Sequence, residues 1–196
     1  MASSPFVLLP FVEIEVRLGT QTDKKFDSSV DKRYFEKIQT QLSTGEWKSV
    51  EFCDTVEYIK DSIKVISPSN KVIMKENVLN RTYVLKNSPF DVRFSVNQEF
   101  KLDSFLTNTT KSDSFIRTKK RTSYVSDTFR YDLTTVNENK NNINVLKYEI
   151  EIELLINETT LCWSDQYISD FLECKIYDLI NIVEPLDRDT FKLKLN

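Results

Sequence analysis

The chain has 196 residues, a formal net charge of -3, two glycines, five prolines, three cysteines and no histidine. That length supports a proper hydrophobic core, with one domain over 1–196 as the expectation, and the scarcity of glycine and proline argues against a disordered or linker-rich chain. The acidic balance excludes general affinity for nucleic acid, the missing histidine excludes Ser-His-Asp and Cys-His nucleophiles and His-ligated zinc, and glycine only at 19 and 45 excludes P-loop and Rossmann fingerprints.

In chain order, β-branched and aromatic residues alternate with polar ones at about 6–18, 49–60, 62–67, 71–76, 81–86, 90–102, 114–125, 128–136 and 144–156, each a predicted strand. The apolar opening Phe6–Phe11 lacks a basic leader and is broken by Pro10, so it reads as part of the first strand and not as a signal peptide. Two stretches have helical spacing instead. Val30, Tyr34, Phe35, Ile38 and Leu42 follow caps at Ser28 or Ser29 and stop at Gly45; Ile168, Phe171, Leu172, Leu179, Ile180 and Val183 open at Ser164-Asp165 and close before Pro185. Many antiparallel strands with two helices predict a mainly β (α+β) fold, a closed or nearly closed β-barrel. Cys53, Cys162 and Cys174 fit neither a disulfide framework nor a zinc site, which implies a reducing cytosol or nucleus, unglycosylated Asn80, Asn108 and Asn157, and no secretion. No run reaches the ~20 apolar residues of a membrane-spanning helix.

The charged rows carry the chemistry. In a strand, Glu13, Glu15 and Arg17 share one face about 6.6 Å apart, as do Glu149, Glu151 and Glu153, while Ile14, Val16, Leu18, Ile150, Ile152 and Leu154 take the other. Arg117, Lys119 and Arg121 form a basic row between them, within a segment, 111–130, that holds six basic residues against two acidic ones. Asp91, Arg93, Ser95, Asn97 and Glu99 share a face, as do Arg130, Asp132 and Thr134. As surface rows of an ordinary barrel or sandwich, like charges this close destabilise the strand unless something opposes them. Placed inside a barrel, they make a tunnel for water, ions and ligand, and the two helices cover the apolar outer face. Oxygen-only ligands suit Mg²⁺ or Mn²⁺, and guanidinium and ammonium groups suit phosphate. Glu13, Glu15 and one or two of Glu149, Glu151 and Glu153 could hold such an ion.

The ordered set Val12-Glu13-Ile14-Glu15-Val16-Arg17, Ile116-Arg117-Thr118-Lys119-Lys120-Arg121-Thr122-Ser123-Tyr124, Tyr131-Asp132-Leu133-Thr134 and Tyr148-Glu149-Ile150-Glu151-Ile152-Glu153 resembles the metal-dependent RNA 5′-triphosphatases of the triphosphate tunnel metalloenzymes. Asp91-Val92-Arg93-Phe94-Ser95 resembles the family's central arginine strand, and the likeness spans roughly 12–156. The group shared by fungi, protozoa and large DNA viruses is the most similar, in particular the stand-alone chlorella-virus type. The resemblance implies an eight-stranded antiparallel tunnel that removes the γ-phosphate from nascent 5′-triphosphate RNA for a guanylyltransferase to cap, in the cytoplasm or nucleus of an infected host cell if the chain is viral.

It also implies roles. Glu13, Glu15 and Glu153 would coordinate Mg²⁺ or Mn²⁺, Glu151 would orient the attacking water, and Glu149 would support neighbouring basic residues. Arg93, Lys119 and Arg121 would contact phosphate. Arg117 and Arg130 would bind phosphate or support it, with Asp132 and Arg17 supporting. Lys71, Lys75, Lys86 and Lys101 are all candidates for further tunnel lysines. Alternatives are a relative that acts on inorganic tripolyphosphate, free nucleotide or another small organic triphosphate, and a non-catalytic binding barrel. A monomer is expected.

Overall fold

The computed structural model describes residues 12–23, 25–60, 63–86, 88–102, 115–140 and 143–185. Nine strands run Val12–Gln21 (β1), Phe26–Asp27 (β2), Ser49–Lys60 (β3), Ile63–Ser67 (β4), Lys71–Tyr83 (β5), Asp91–Leu102 (β6), Phe115–Val125 (β7), Phe129–Lys140 (β8) and Ile143–Leu154 (β9). Two helices, Lys32–Ser43 (α1) and Asp165–Val183 (α2), complete the main elements. The strand order is β1-β6-β5-β4-β3-β7-β8-β9, and β9 pairs back onto β1. Eight antiparallel strands therefore close into a barrel, with β2 an extra strip on the end of β1. Closure removes the unpaired edges that an open sheet would expose.

The apolar core lies outside the barrel. Val16, Leu18, Ile150, Ile152 and Leu154 on β1 and β9 are fully or almost fully buried, together with Leu133 of β8 and Ile38, Leu172, Ile176, Leu179 and Ile180 of the helices. Each helix lays one apolar stripe on this outer wall, and the reversed polarity follows from the charged interior. Trp47 packs edge-on to Tyr131 and against Tyr124, with ring centroids 5.6 and 5.7 Å away, closing the seam below α1.

Helix ends depart from expectation in one place. Asp31, not Ser28 or Ser29, caps α1 by accepting from the Arg33 backbone N–H. Ser28 is drawn away because its hydroxyl donates to Glu149 at 3.0 Å. Thr44 closes α1 just before Gly45, and Ser164 caps α2 as expected. The strands expected at 71–76 and 81–86 are one continuous β5, in which a bulge at Val78 between Asn77 and Leu79 interrupts the period of two. β8 runs on to Lys140, and β2 is too short for periodicity to reveal. The part of the first expected strand up to Phe11 lies outside the described residues, as does Asn108. Among the described residues, no helix is long and apolar enough to cross a membrane.

Leu172 is fully buried on the inner face of α2. Leu172→Ala is expected to cost about 2–5 kcal/mol, the range for truncating a buried leucine that leaves a cavity. Chemical denaturation measures it, and a loss within 0.5 kcal/mol would show that α2 does not seal the outer core.

Candidate active site

Register sets the interior. Glu15 faces Glu153 and Arg17 faces Glu151 across β1–β9; Arg130 faces Glu153 and Asp132 faces Glu151 across β8–β9. On the other side of β1, Glu13 faces Asn97 and Arg17 faces Arg93. The rows that alternate in the sequence thus become adjacent walls of one tunnel.

Carboxylates and cations interlock there. Asp132, wholly buried, accepts from Arg121 Nη1 at 2.8 Å, Arg130 Nε at 3.1 Å and the Ser123 hydroxyl at 2.5 Å. Glu151 lies between Arg17 Nη2 at 2.9 Å and Arg121 Nη2 at 3.2 Å. Glu153 takes Arg130 Nη2 at 2.6 Å, and Glu149 takes Arg117 Nη2 at 2.6 Å. Glu13 and Glu15 share the Lys75 ammonium, and Asn97 donates to both. Arg93 lies over the Phe26 ring, 4.6 Å from its centroid.

Charge states follow from these partners. Burial works to raise Glu151, but Arg17, Arg121, Lys119 and Lys75 outweigh it and hold the carboxyl far below the usual range. Burial dominates at Glu153, which is pushed up to about 7 despite Arg130, with Glu13, Asp132 and Glu151 adding to the rise. Burial draws Lys119 below the ordinary lysine value, against the pull of Glu57 and Glu151. Burial also lowers Arg93, aided by Arg17. Lys75 goes up, because Glu15 and Glu13 overcome the cost of its burial.

All the residues singled out in the sequence, Glu13, Glu15, Arg17, Arg93, Arg117, Lys119, Arg121, Arg130, Asp132, Glu149, Glu151 and Glu153, fall within this charged interior. Of the four candidate lysines, Lys75 lies among the acids, whereas Lys71, Lys86 and Lys101 are exposed. Two acids escaped notice. Glu57 on β3 is buried beneath Lys119 at 3.1 Å and Lys64 at 3.4 Å, and Glu138 on β8 takes Arg117 and Lys147, both at 3.1 Å. A lone acid in a strand has no row to mark it; the opposing register of β7 would have been the signal.

Could a divalent ion fit here? Among the described residues no three acids already enclose one point, since Lys75 and Arg130 sit on the carboxylates concerned. The donor chemistry nevertheless fits. Glu15 and Glu153 are register partners, Glu13 is two residues along the same face, and a cation there would offset both the burial of Glu153 and the charge of Glu13 beside it.

A closed antiparallel barrel lined by interlocked carboxylates and cations defines a triphosphate-tunnel class of hydrolase. The family described as mRNA capping enzyme, beta chain, matches residues 59–166. The chain belongs to this family of RNA 5′-triphosphatases, whose tunnel enzymes are metal-dependent. Solved structures share the fold. The Pct1 RNA triphosphatase of S. pombe aligns with TM-score 0.72 and 17% identity over 87% of this chain and 85% of that one. The Mimivirus capping enzyme triphosphatase aligns with TM-score 0.60 and 13% identity over 91% and 92%. Pct1 is also similar as seen in complex with the Spt5 CTD, at TM-score 0.67 and 17% identity over 87% of this chain and 86% of that one. No curated protein matches the sequence significantly.

Asp132→Ala leaves Arg121 and Arg130 without their shared acceptor. Breaking a buried ionic network from one side costs about 3–5 kcal/mol, so the variant should unfold at markedly lower denaturant, as circular dichroism would record. A wild-type midpoint would show that the network does not hold the tunnel walls.

Proposed function

We propose that the tunnel removes the γ-phosphate from a 5′-triphosphate RNA end, with Glu13, Glu15, Glu153, Glu149, Glu151, Arg93, Arg117, Lys119, Arg121 and Arg130 as its working residues. The observation that carries this reading is the β7 row Arg117, Lys119 and Arg121, which spans the tunnel between the acids of β8–β9 and Glu57 of β3. A phosphate chain needs such a row, because its charge is spread over many oxygens.

The residues divide the work. Mg²⁺ or Mn²⁺, held by Glu13, Glu15 and Glu153, would supply positive charge to the phosphate oxygens. Lys119, Arg121 and Arg93 bind the terminal phosphates, the arginines through paired N–H groups and the lysine as a compact charge. Glu151 is kept ionised by Arg17 and Arg121, so it can accept a hydrogen bond from the attacking water and aim its oxygen at the γ-phosphorus. Formation of that P–O bond breaks the bond to the β–γ bridging oxygen and yields inorganic phosphate and a diphosphate RNA end. Asp132 keeps Arg121 and Arg130 extended, and Glu149 does the same for Arg117.

The diphosphate end is the substrate of a guanylyltransferase, which we take as the functional partner. The tunnel's charged rows suit phosphates whatever carries them, so free nucleoside triphosphates and tripolyphosphate are expected as secondary substrates. We take the enzyme to act as a monomer, and in cytoplasm or nucleus, where cysteines outside disulfides such as Cys53, Cys162 and Cys174 are the rule.

Release of phosphate from 5′-triphosphate RNA, GTP and tripolyphosphate, measured with Mg²⁺ and with Mn²⁺, tests this function. Wild-type protein should release γ-phosphate from the RNA only with metal, and Glu15→Ala or Glu153→Ala should lose about 10²-fold or more. Metal-independent release, or wild-type turnover in both variants, contradicts the assignment. Arg121→Lys keeps the charge but loses the fork that spans Asp132 and Glu151, so a drop of about tenfold is expected in the same assay. An unchanged rate would remove the fork from the mechanism.

A further inference from the structure

One interior cation differs from the rest. The Arg93 guanidinium forms no ion pair or hydrogen bond among the described residues, and its Nε is buried without a partner. Acids are near enough to act on it electrostatically, Glu15, Glu149 and Glu151 among them. Yet Glu15 and Glu151 are taken by Arg17, the register partner of Arg93 across β1–β6, and Glu149 is taken by Arg117.

What Arg93 has instead is the face of Phe26, 4.6 Å from its central carbon. Phe26 belongs to β2, whose pairing of Phe26 with Gln21 and Asp27 with Thr20 folds it back over the end of β1. Gly19 makes the room. It occupies the interior-facing position two residues beyond Arg17, and a Cβ there would lie 2.7 Å from the Phe26 ring and 2.2 Å from the Asp27 carbonyl oxygen. The ring thus takes the volume that a side chain at 19 would fill. Asp91 ties down the surrounding backbone by accepting from the N–H groups of Gln21 at 2.7 Å and Leu85 at 3.1 Å.

We infer that Phe26 is a positioning residue for Arg93, backing the guanidinium so that its N–H fork stays open to the substrate's phosphate. The distinction from the ion-paired cations Arg17, Lys75, Arg117, Lys119, Arg121 and Arg130 is chemical. A carboxylate partner consumes N–H donors and must be displaced before phosphate can bind. An aromatic face stabilises the charge through its π-cloud and leaves the in-plane donors unspent. Phosphate approaching Arg93 therefore gains bidentate contacts without first breaking an ion pair. This role rests on the triphosphatase reading above, since it makes Arg93 a phosphate contact.

A double-mutant cycle separates positioning from mere support of the fold. The four proteins are wild type, Phe26→Leu, Arg93→Ala and the double variant, and the readout is calorimetric affinity for GMP-PNP, a β,γ-imido nucleotide that needs no turnover. Phe26→Leu keeps apolar bulk above Gly19 and removes the ring face; it should weaken binding by roughly two- to thirty-fold in the Arg93 background, the span of a cation–π contact. In the Arg93→Ala background the same change should have no further effect, and Phe26→Tyr should restore wild-type affinity. Equal loss in both backgrounds, or no loss in either, overturns the positioning role. A parallel RNA assay distinguishes the two levels: wild type that cleaves no triphosphate overturns the functional reading and this role with it, whereas wild type that cleaves while the cycle shows no coupling overturns the role alone.

Discussion

Burying charge inside a protein is costly unless each charge finds a partner, and that constraint organises the whole chain. A barrel interior filled with carboxylates forces cations onto the neighbouring strands: register sets Glu151 against Arg17 and Glu153 against Arg130, and longer reaches bring Glu151 to Arg121, Glu149 to Arg117 and Glu57 to Lys119. Because the interior is polar, the apolar side chains of the same strands must be buried on the outside. The two helices cover them, with Ile38, Leu172 and Ile176 in one apolar cluster with the outward side chains of β1, β8 and β9.

The same constraint prepares the site for its ligand. Partnered charges are already desolvated and oriented, so under the proposed function a phosphate chain would exchange one set of ionic contacts for another without reorganising the walls. Where partners are shared, as at Asp132 or Lys75, one group holds two others in place. Glu153 and Arg93 stand at the limits of this compensation. Glu153 lies in surplus negative charge and is pushed up to about 7 by burial, and Arg93 is steadied by a neutral ring in place of an acid.

Much of this was legible in the residues themselves because strict alternation is an unusually clear signal. Glu13-Ile14-Glu15-Val16-Arg17 and Glu149-Ile150-Glu151-Ile152-Glu153 state both the face that carries charge and the face that needs covering, and the spacing of Ile168, Leu172 and Leu179 supplies one of the covers. Features that depend on what lies across the sheet were not legible. Glu57 looks like any strand glutamate until β3 is set beside β7, and Lys75 cannot be told from Lys71 or Lys101 until the closed barrel brings it against Glu13 and Glu15 of β1. Local competition misled as well: Ser28 has the chemistry of a helix cap, but a buried glutamate claimed it and Asp31 took its place.

Anomalous diffraction from a crystal containing Mn²⁺ and tripolyphosphate would test the central claim most directly. The account predicts a manganese peak inside the barrel between the Glu15 and Glu153 carboxylates, with the phosphate chain running toward Lys119 and Arg121. Manganese bound only on the outer surface, with the interior ion pairs intact and no phosphate among them, would contradict it.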